Sequence, residues 1–110
     1  MSKPVSTMLG RWRITTMELW DADYVDMEVP AYFLIHPDLS GEFQFGMVQA
    51  QPDGKLATVN GKSRLEFTWS GFDENHAVNG RGWLEASGTE ASGRVFIHLG
   101  DDSGFATDRA

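Results

Sequence analysis

Apolar and polar residues alternate with a period of two along most of this chain, and turn-forming residues interrupt the alternation at short intervals. That period places successive side chains on opposite faces of an extended backbone, so each run predicts a half-buried β-strand. In residues 9–19, Gly10, Trp12, Ile14 and Thr16 share one face, while Arg11, Arg13 and Thr15 share the other. Residues 20–30 break the pattern with Asp21, Asp23, Asp26 and Glu28, and read as an acidic loop with room for one helical turn. Pro30 opens a second strand over residues 31–36, which His36-Pro37 and a turn at 38–41 close. A third strand, residues 42–51, sets Phe43, Phe45 and Met47 against Glu42, Gln44 and Gly46.

Pro52-Asp53-Gly54 predicts a turn, because proline presets the first φ and glycine accepts a positive one. A short fourth strand, residues 56–59, leads to Asn60-Gly61, the pair best suited to a two-residue type I′ hairpin. The strand beyond it, residues 64–70, faces Leu65, Phe67 and Trp69 one way and Arg64, Glu66 and Thr68 the other. Asp73-Glu74-Asn75 marks the next turn, and residues 77–86 form a sixth strand. Within it Gly80 and Gly82 predict a bulge, a sharp bend, or a side chain such as Trp12 or Trp69 lying across them. Residues 87–93 read as a turn and 94–99 as a seventh strand, followed by a polar tail, 100–110, with a frayed helical end. About seven short strands joined by tight loops predict an all-β fold, an antiparallel meander forming a small barrel or a strongly curved sheet. One β domain is expected over residues 1–110, with 1–8 and 106–110 as loose ends.

Composition changes this picture mainly by exclusion. The net charge is −7, from 16 acidic and 9 basic residues, and the basic ones do not cluster. Such a surface repels phosphate backbones and anionic lipid, so neither nucleic acid nor a membrane is an expected partner. No apolar run approaches the roughly 18 residues that span a bilayer. Cysteine is absent, which excludes disulfides, thiol nucleophiles and thiolate metal sites. Together with an N-terminal MSKPVSTML that has no apolar signal core, this points to a cytoplasmic protein.

Gly10-Arg11-Trp12, at the start of the first strand, resembles the Gly-x-Trp opening of calycin-type barrels such as lipocalins and avidins. That resemblance implies a barrel with Trp12 plugging one end. A broader set of segments looks like a small family of bacterial proteins of unknown function. It comprises Gly10-Arg11-Trp12-Arg13-Ile14, Met17-Glu18-Leu19-Trp20-Asp21, Pro30-Ala31, Gly41-Glu42-Phe43, Gly80-Arg81-Gly82-Trp83 and Gly100-Asp101-Asp102-Ser103-Gly104-Phe105. This second resemblance implies a bacterial, cytoplasmic origin and no activity.

No catalytic motif stands out. Asp102-Ser103-Gly104 lacks the Gly-x-Ser-x-Gly pattern of a nucleophile elbow and reads as a polar turn. His36, His76 and His98 have no ligand spacing, and the acidic loop 21–28 lacks the layout of an EF-hand, so no metal or cofactor is expected. The strongest candidate for chemistry is the tryptophan load. Trp12, Trp69 and Trp83 lie in strands, Arg81 shares a face with Trp83, and Arg64 and Glu66 belong to a neighbouring strand. A pocket of Trp12, Trp69, Arg81 and Trp83 would suit a small aromatic or anionic ligand, although barrels also fill their interiors with large side chains. The favoured function is therefore a non-enzymatic small-ligand-binding module. The alternative is a homodimeric interaction module with no small-molecule ligand, pairing through an edge strand or through Met17, Leu19, Tyr24 and Met27. An enzyme ranks third, with Glu66, Asp73, His98 and Asp101 as its acid–base groups.

Overall fold

The computed structural model describes residues 7–110 and shows eight antiparallel strands in sequence order around a closed barrel. They are β1 (Gly10–Met17), β2 (Tyr32–Ile35), β3 (Gly41–Phe45), β4 (Val48–Val59), β5 (Lys62–Asp73), β6 (His76–Ser87), β7 (Glu90–Ile97) and β8 (Asp102–Arg109). One helical turn, α1 (Ala22–Val25), interrupts the β1–β2 connection. The meander and its curvature are as the alternation predicts, with one strand more than expected. No helix among the described residues is long and apolar enough to cross a membrane.

The additional strand is β8, which occupies the segment read from sequence as a polar tail. It pairs with β7 on one side and with β1 on the other, so residues 106–109 are part of the wall. Its inward positions are Ser103, Phe105 and Thr107, only one of them apolar, which hides the strand from a hydrophobicity pattern. The two buried hydroxyls are satisfied locally. Ser103 Oγ donates to Gly104 O and accepts from Leu19 N–H, and Thr107 Oγ1 donates to Ala91 O. Of the segment expected to be loose at the other terminus, residues 1–6 lie outside the described part, while Met8 is buried in the core.

A second correction concerns Pro52-Asp53-Gly54. The β3–β4 turn lies earlier, at Gly46-Met47, and β4 runs straight through the proline. Gly46 adopts φ +54°, and a Cβ there would stand 2.2 Å from the Tyr24 ring, so this turn requires glycine on both counts. Pro52 fits a strand because of where its missing N–H points. The Asn60-Gly61 hairpin makes Val59 and Lys62 a hydrogen-bonded pair, so the odd residues of β4 bond β5 and the even ones face β3. β3 pairs with β4 only as far as Ala50, so Pro52 looks onto a ragged edge. Gly54, facing the same way, donates its N–H to Leu39 O.

Aromatic rings fill the interior. Phe33 stacks on Phe43 at 5.1 Å and meets Phe67 edge-on at 5.2 Å, while Trp69 packs edge-on against Phe43 at 5.4 Å. The void left among Ile14, Met17, Phe33, Phe43, Phe45, Val95 and Phe105 is only about 10 Å³. Around these rings the wall closes on glycines. At Gly80 a Cβ would fall 1.7 Å from Phe96 O and 3.0 Å from the Trp69 indole nitrogen. The β7 backbone makes the tightest approach to Gly80, and Trp69 is the side chain that lies across it.

Candidate functional site

The four residues expected to form one pocket divide between the two faces of the wall. Trp12 and Trp69 point inward and are buried, whereas Arg81 and Trp83 point outward from β6. The division follows from the strand period: Gly80, Gly82 and Leu84 take the inner positions because Phe67 and Trp69 fill the space beneath them. Trp69's indole N–H is buried without an acceptor among the described residues, and it lies against Gly80 rather than toward a cavity.

Trp12 has a structural role. Its Nε1–H donates to Met8 O at 2.9 Å, and the Arg109 guanidinium lies 3.9 Å from the ring centroid. Arg109 also donates to the carbonyls of Leu9 and Thr7, so the last residue of β8 ties down the segment entering β1.

On the outside, β4 to β7 carry a groove of about 510 Å³ that contains both Arg81 and Trp83. Strand register explains its construction. One row of outward side chains runs Asp53, Thr68, Arg81, Phe96 across the four strands, and a second runs Lys55, Glu66, Trp83, Arg94. The rows are two residues apart along each strand, about 7 Å, and the floor between them is the backbone of Gly54, Phe67 and Gly82. The groove above that floor is large enough to take a planar ring beside the Trp83 indole.

Arg64 sets how Trp83 is presented. It belongs to the next row, on the side of Trp83 away from Arg81, and its guanidinium lies 3.9 Å from the indole centroid. Glu85 holds it there at 2.7 Å. One face of the indole is thus covered by a fixed cation, and the other is left toward the groove. Arg81 stacks on Phe96 at 4.4 Å and, among the described residues, makes no ion pair or hydrogen bond. Arg13, Arg64 and Arg94, by contrast, each hold a carboxylate. Arg81 therefore brings an unspent planar fork of donors to the groove.

The groove residues missed from sequence are Asp53, Lys55, Thr68 and Phe96. Counting back from the Asn60-Gly61 hairpin would have placed Asp53 opposite Thr68 and Lys55 opposite Glu66, had Pro52 not been read as a turn.

The other candidate groups are dispersed or already engaged. Glu66 and Asp73 sit seven residues apart on one strand, a separation of about 23 Å. His98 and Asp101 belong to the β7–β8 turn. Asp21 caps α1 by accepting Tyr24 N–H. Asp26 holds Arg13 through both carboxylate oxygens at 3.0 and 3.1 Å and accepts Ala31 N–H, and these bonds hold its carboxyl below the usual range. Among the described residues no three histidine, aspartate or glutamate side chains are grouped as a metal site requires. Of the residues expected at an interaction surface, Met17 is buried and Tyr24 half-buried beside Trp20, while Leu19 and Met27 are exposed. Compared with protein-family models, curated proteins and solved structures, the chain matches none.

Proposed function

We propose that this chain is a non-enzymatic binding module whose outer β4–β7 groove takes a small planar ligand bearing an anionic group. The observation that carries this reading is Arg81: a guanidinium with no carboxylate partner among the described residues, stacked on Phe96 and lining the same groove as Trp83, one row away along β6. A ring placed beside Trp83 gains a stacking partner, and its carboxylate gains charge-assisted hydrogen bonds from Arg81. The filled barrel interior supports a site on the wall rather than inside it. The cysteine-free composition supports a reducing, cytoplasmic setting. Strand order and a Gly10-Arg11-Trp12 opening support a calycin-type origin for the barrel.

Two ring-bearing carboxylates, 3-phenylpropanoate and phenylalanine, test the site. Binding is read from the indole N–H resonance of Trp83, assigned through Trp83→Phe. At least one probe should shift that resonance, and Arg81→Gln should weaken binding about tenfold, the loss of a charge-assisted pair. Silence of Trp83 toward both probes, or affinity indifferent to Arg81→Gln, would remove the assignment.

A second reading, pairing of two copies or capture of a partner strand, is favoured by the outer part of β4. Beyond Gly54 the strand pairs only with β5, so the backbone groups of Leu56 and Thr58 face an open edge. Leu56→Pro removes one donor from that edge and none from the β4–β5 ladder. If this reading holds, wild-type protein sediments as a dimer and the variant as a folded monomer.

A further inference from the structure

The groove contains more charge than an aromatic carboxylate needs. Four ionised side chains surround its floor: Asp53 and Lys55 on β4, Glu66 on β5 and Arg81 on β6. Signs alternate around the ring. Lys55 stands opposite Glu66 in register, and Arg81 lies diagonally from Glu66 on the same outer face. Opposite charges placed so are the usual material of a cross-strand ion pair. None of the four forms one, since every ion pair among the described residues lies elsewhere. On the same wall Arg64–Glu85 and Arg94–Asp102 close at 2.7 Å. The groove is therefore locally neutral in a chain of net charge −7, and both of its signs are uncommitted.

We infer that the ligand of this groove is an aromatic zwitterion, a flat ring with an ammonium and a carboxylate on a short stem, which is the chemistry of an aromatic amino acid. This rests on the binding role proposed above and adds the second charge. The ring occupies the gap beside Trp83, the carboxylate meets Arg81, and the ammonium meets Glu66 one strand over, with Asp53 beyond. A net anion entering the same groove would meet the field of the whole acidic protein and the two local carboxylates. A zwitterion adds no net charge and satisfies both signs. The groove's order of groups matches: cation and ring lie on β6, and carboxylate lies beside the ring on β5.

The test compares three molecules that share a phenyl ring. Phenylalanine carries both charges, 3-phenylpropanoate lacks the ammonium, and 2-phenylethylamine lacks the carboxylate. Affinity for each is measured by titration of the Trp83 indole resonance on wild type, Arg81→Gln, and the double variant Asp53→Asn with Glu66→Gln. All sites are exposed or half-exposed, and thermal melts establish that each variant is folded. Phenylalanine should bind wild type about fivefold or more tightly than either single-charge analogue. The double variant should lose that advantage over 3-phenylpropanoate, and Arg81→Gln should lose the advantage over 2-phenylethylamine. Equal binding of phenylalanine and 3-phenylpropanoate, or a double variant that keeps the preference, overturns the zwitterion while leaving a ring-carboxylate site intact. Failure of both ring carboxylates to move Trp83 overturns the site as well.

Discussion

Arg109→Ala should cost this barrel about 2–3 kcal/mol, an estimate built from three contacts. The guanidinium stacks 3.9 Å from the centroid of Trp12, a fully buried ring, and a cation–π contact partly removed from water contributes about 1 kcal/mol. Its two donors reach Leu9 O and Thr7 O, and such bonds contribute about 1 kcal/mol each, less for the more exposed Thr7. Because Arg109 ends β8 in register with Trp12, losing it also frees the seam where β8 meets β1. At about 0.23 kcal/mol per kelvin of unfolding entropy for a chain this long, the melting temperature should fall by about 10 °C. Urea unfolding followed by circular dichroism measures the loss without relying on tryptophan emission. Arg109→Lys retains the charge but not the fork, so it should recover less than half of the stability. A loss below about 0.5 kcal/mol would show that the contact is not a clamp.

Two further substitutions probe the wall and the acidic loop. Gly80→Ala places a Cβ 1.7 Å from Phe96 O, a backbone atom that cannot give way, and should cost about 3 kcal/mol or more. Gly88→Ala, at φ +65° with nothing within 4 Å, should cost about 1 kcal/mol, and urea midpoints of the two variants check the contrast. Asp26→Asn should lower stability at neutral pH by loosening the loop that Arg13 and Ala31 N–H anchor. The folded carboxyl titrates below its ordinary value of 3.8, so its contribution is full above that value and is lost progressively as pH falls from there through the depressed folded value. The gap in melting temperature between wild type and variant should therefore narrow from pH 7 to pH 3, and a constant gap would argue against the pairing.

Local chemistry made most of the wall legible. Asn60-Gly61 takes φ +52° and +77°, as a type I′ turn demands, and the alternation of β3 and β5 survives in the burial of each strand. That of β1 holds only to Ile14, beyond which a register shift against β8 leaves Thr16 exposed and buries Met17. Pro52 and β8 were hidden for different reasons. A proline in a strand is legible only once the neighbouring strand is known to end early, and that is a tertiary fact. β8 buries Ser103 and Thr107, whose hydroxyls bond within the wall, so apolar periodicity could not reveal it. The site was half legible. The two-residue spacing of Arg81 and Trp83 ensures a shared face, but period two does not say which face is inside. That was decided across the wall by Phe67 and Trp69, whose bulk requires glycine opposite and turns Trp83 outward.

The same packing explains why the proposed groove lies on the outer surface of the barrel. Eight strands enclose an interior just wide enough for side chains to fill. Here seven rings (Trp12, Phe33, Phe43, Phe45, Phe67, Trp69 and Phe105) are buried in it. Clearing space for a ligand means withdrawing at least one ring, and vacating a buried phenylalanine or tryptophan position costs about 3–5 kcal/mol. A small ligand would have to offset that cost before gaining any affinity. The outer wall imposes no such cost. Its longest strands, β4, β5 and β6, lie side by side and support the two rows of side chains already in place. Gly80 and Gly82, which let the inner rings pack, also leave Arg81 and Trp83 on the outer face of β6. Core packing and groove therefore depend on the same residues, and substitution at Gly82, whose Cβ would meet Arg94 O at 2.4 Å and Phe67 at 2.7 Å, should damage both together.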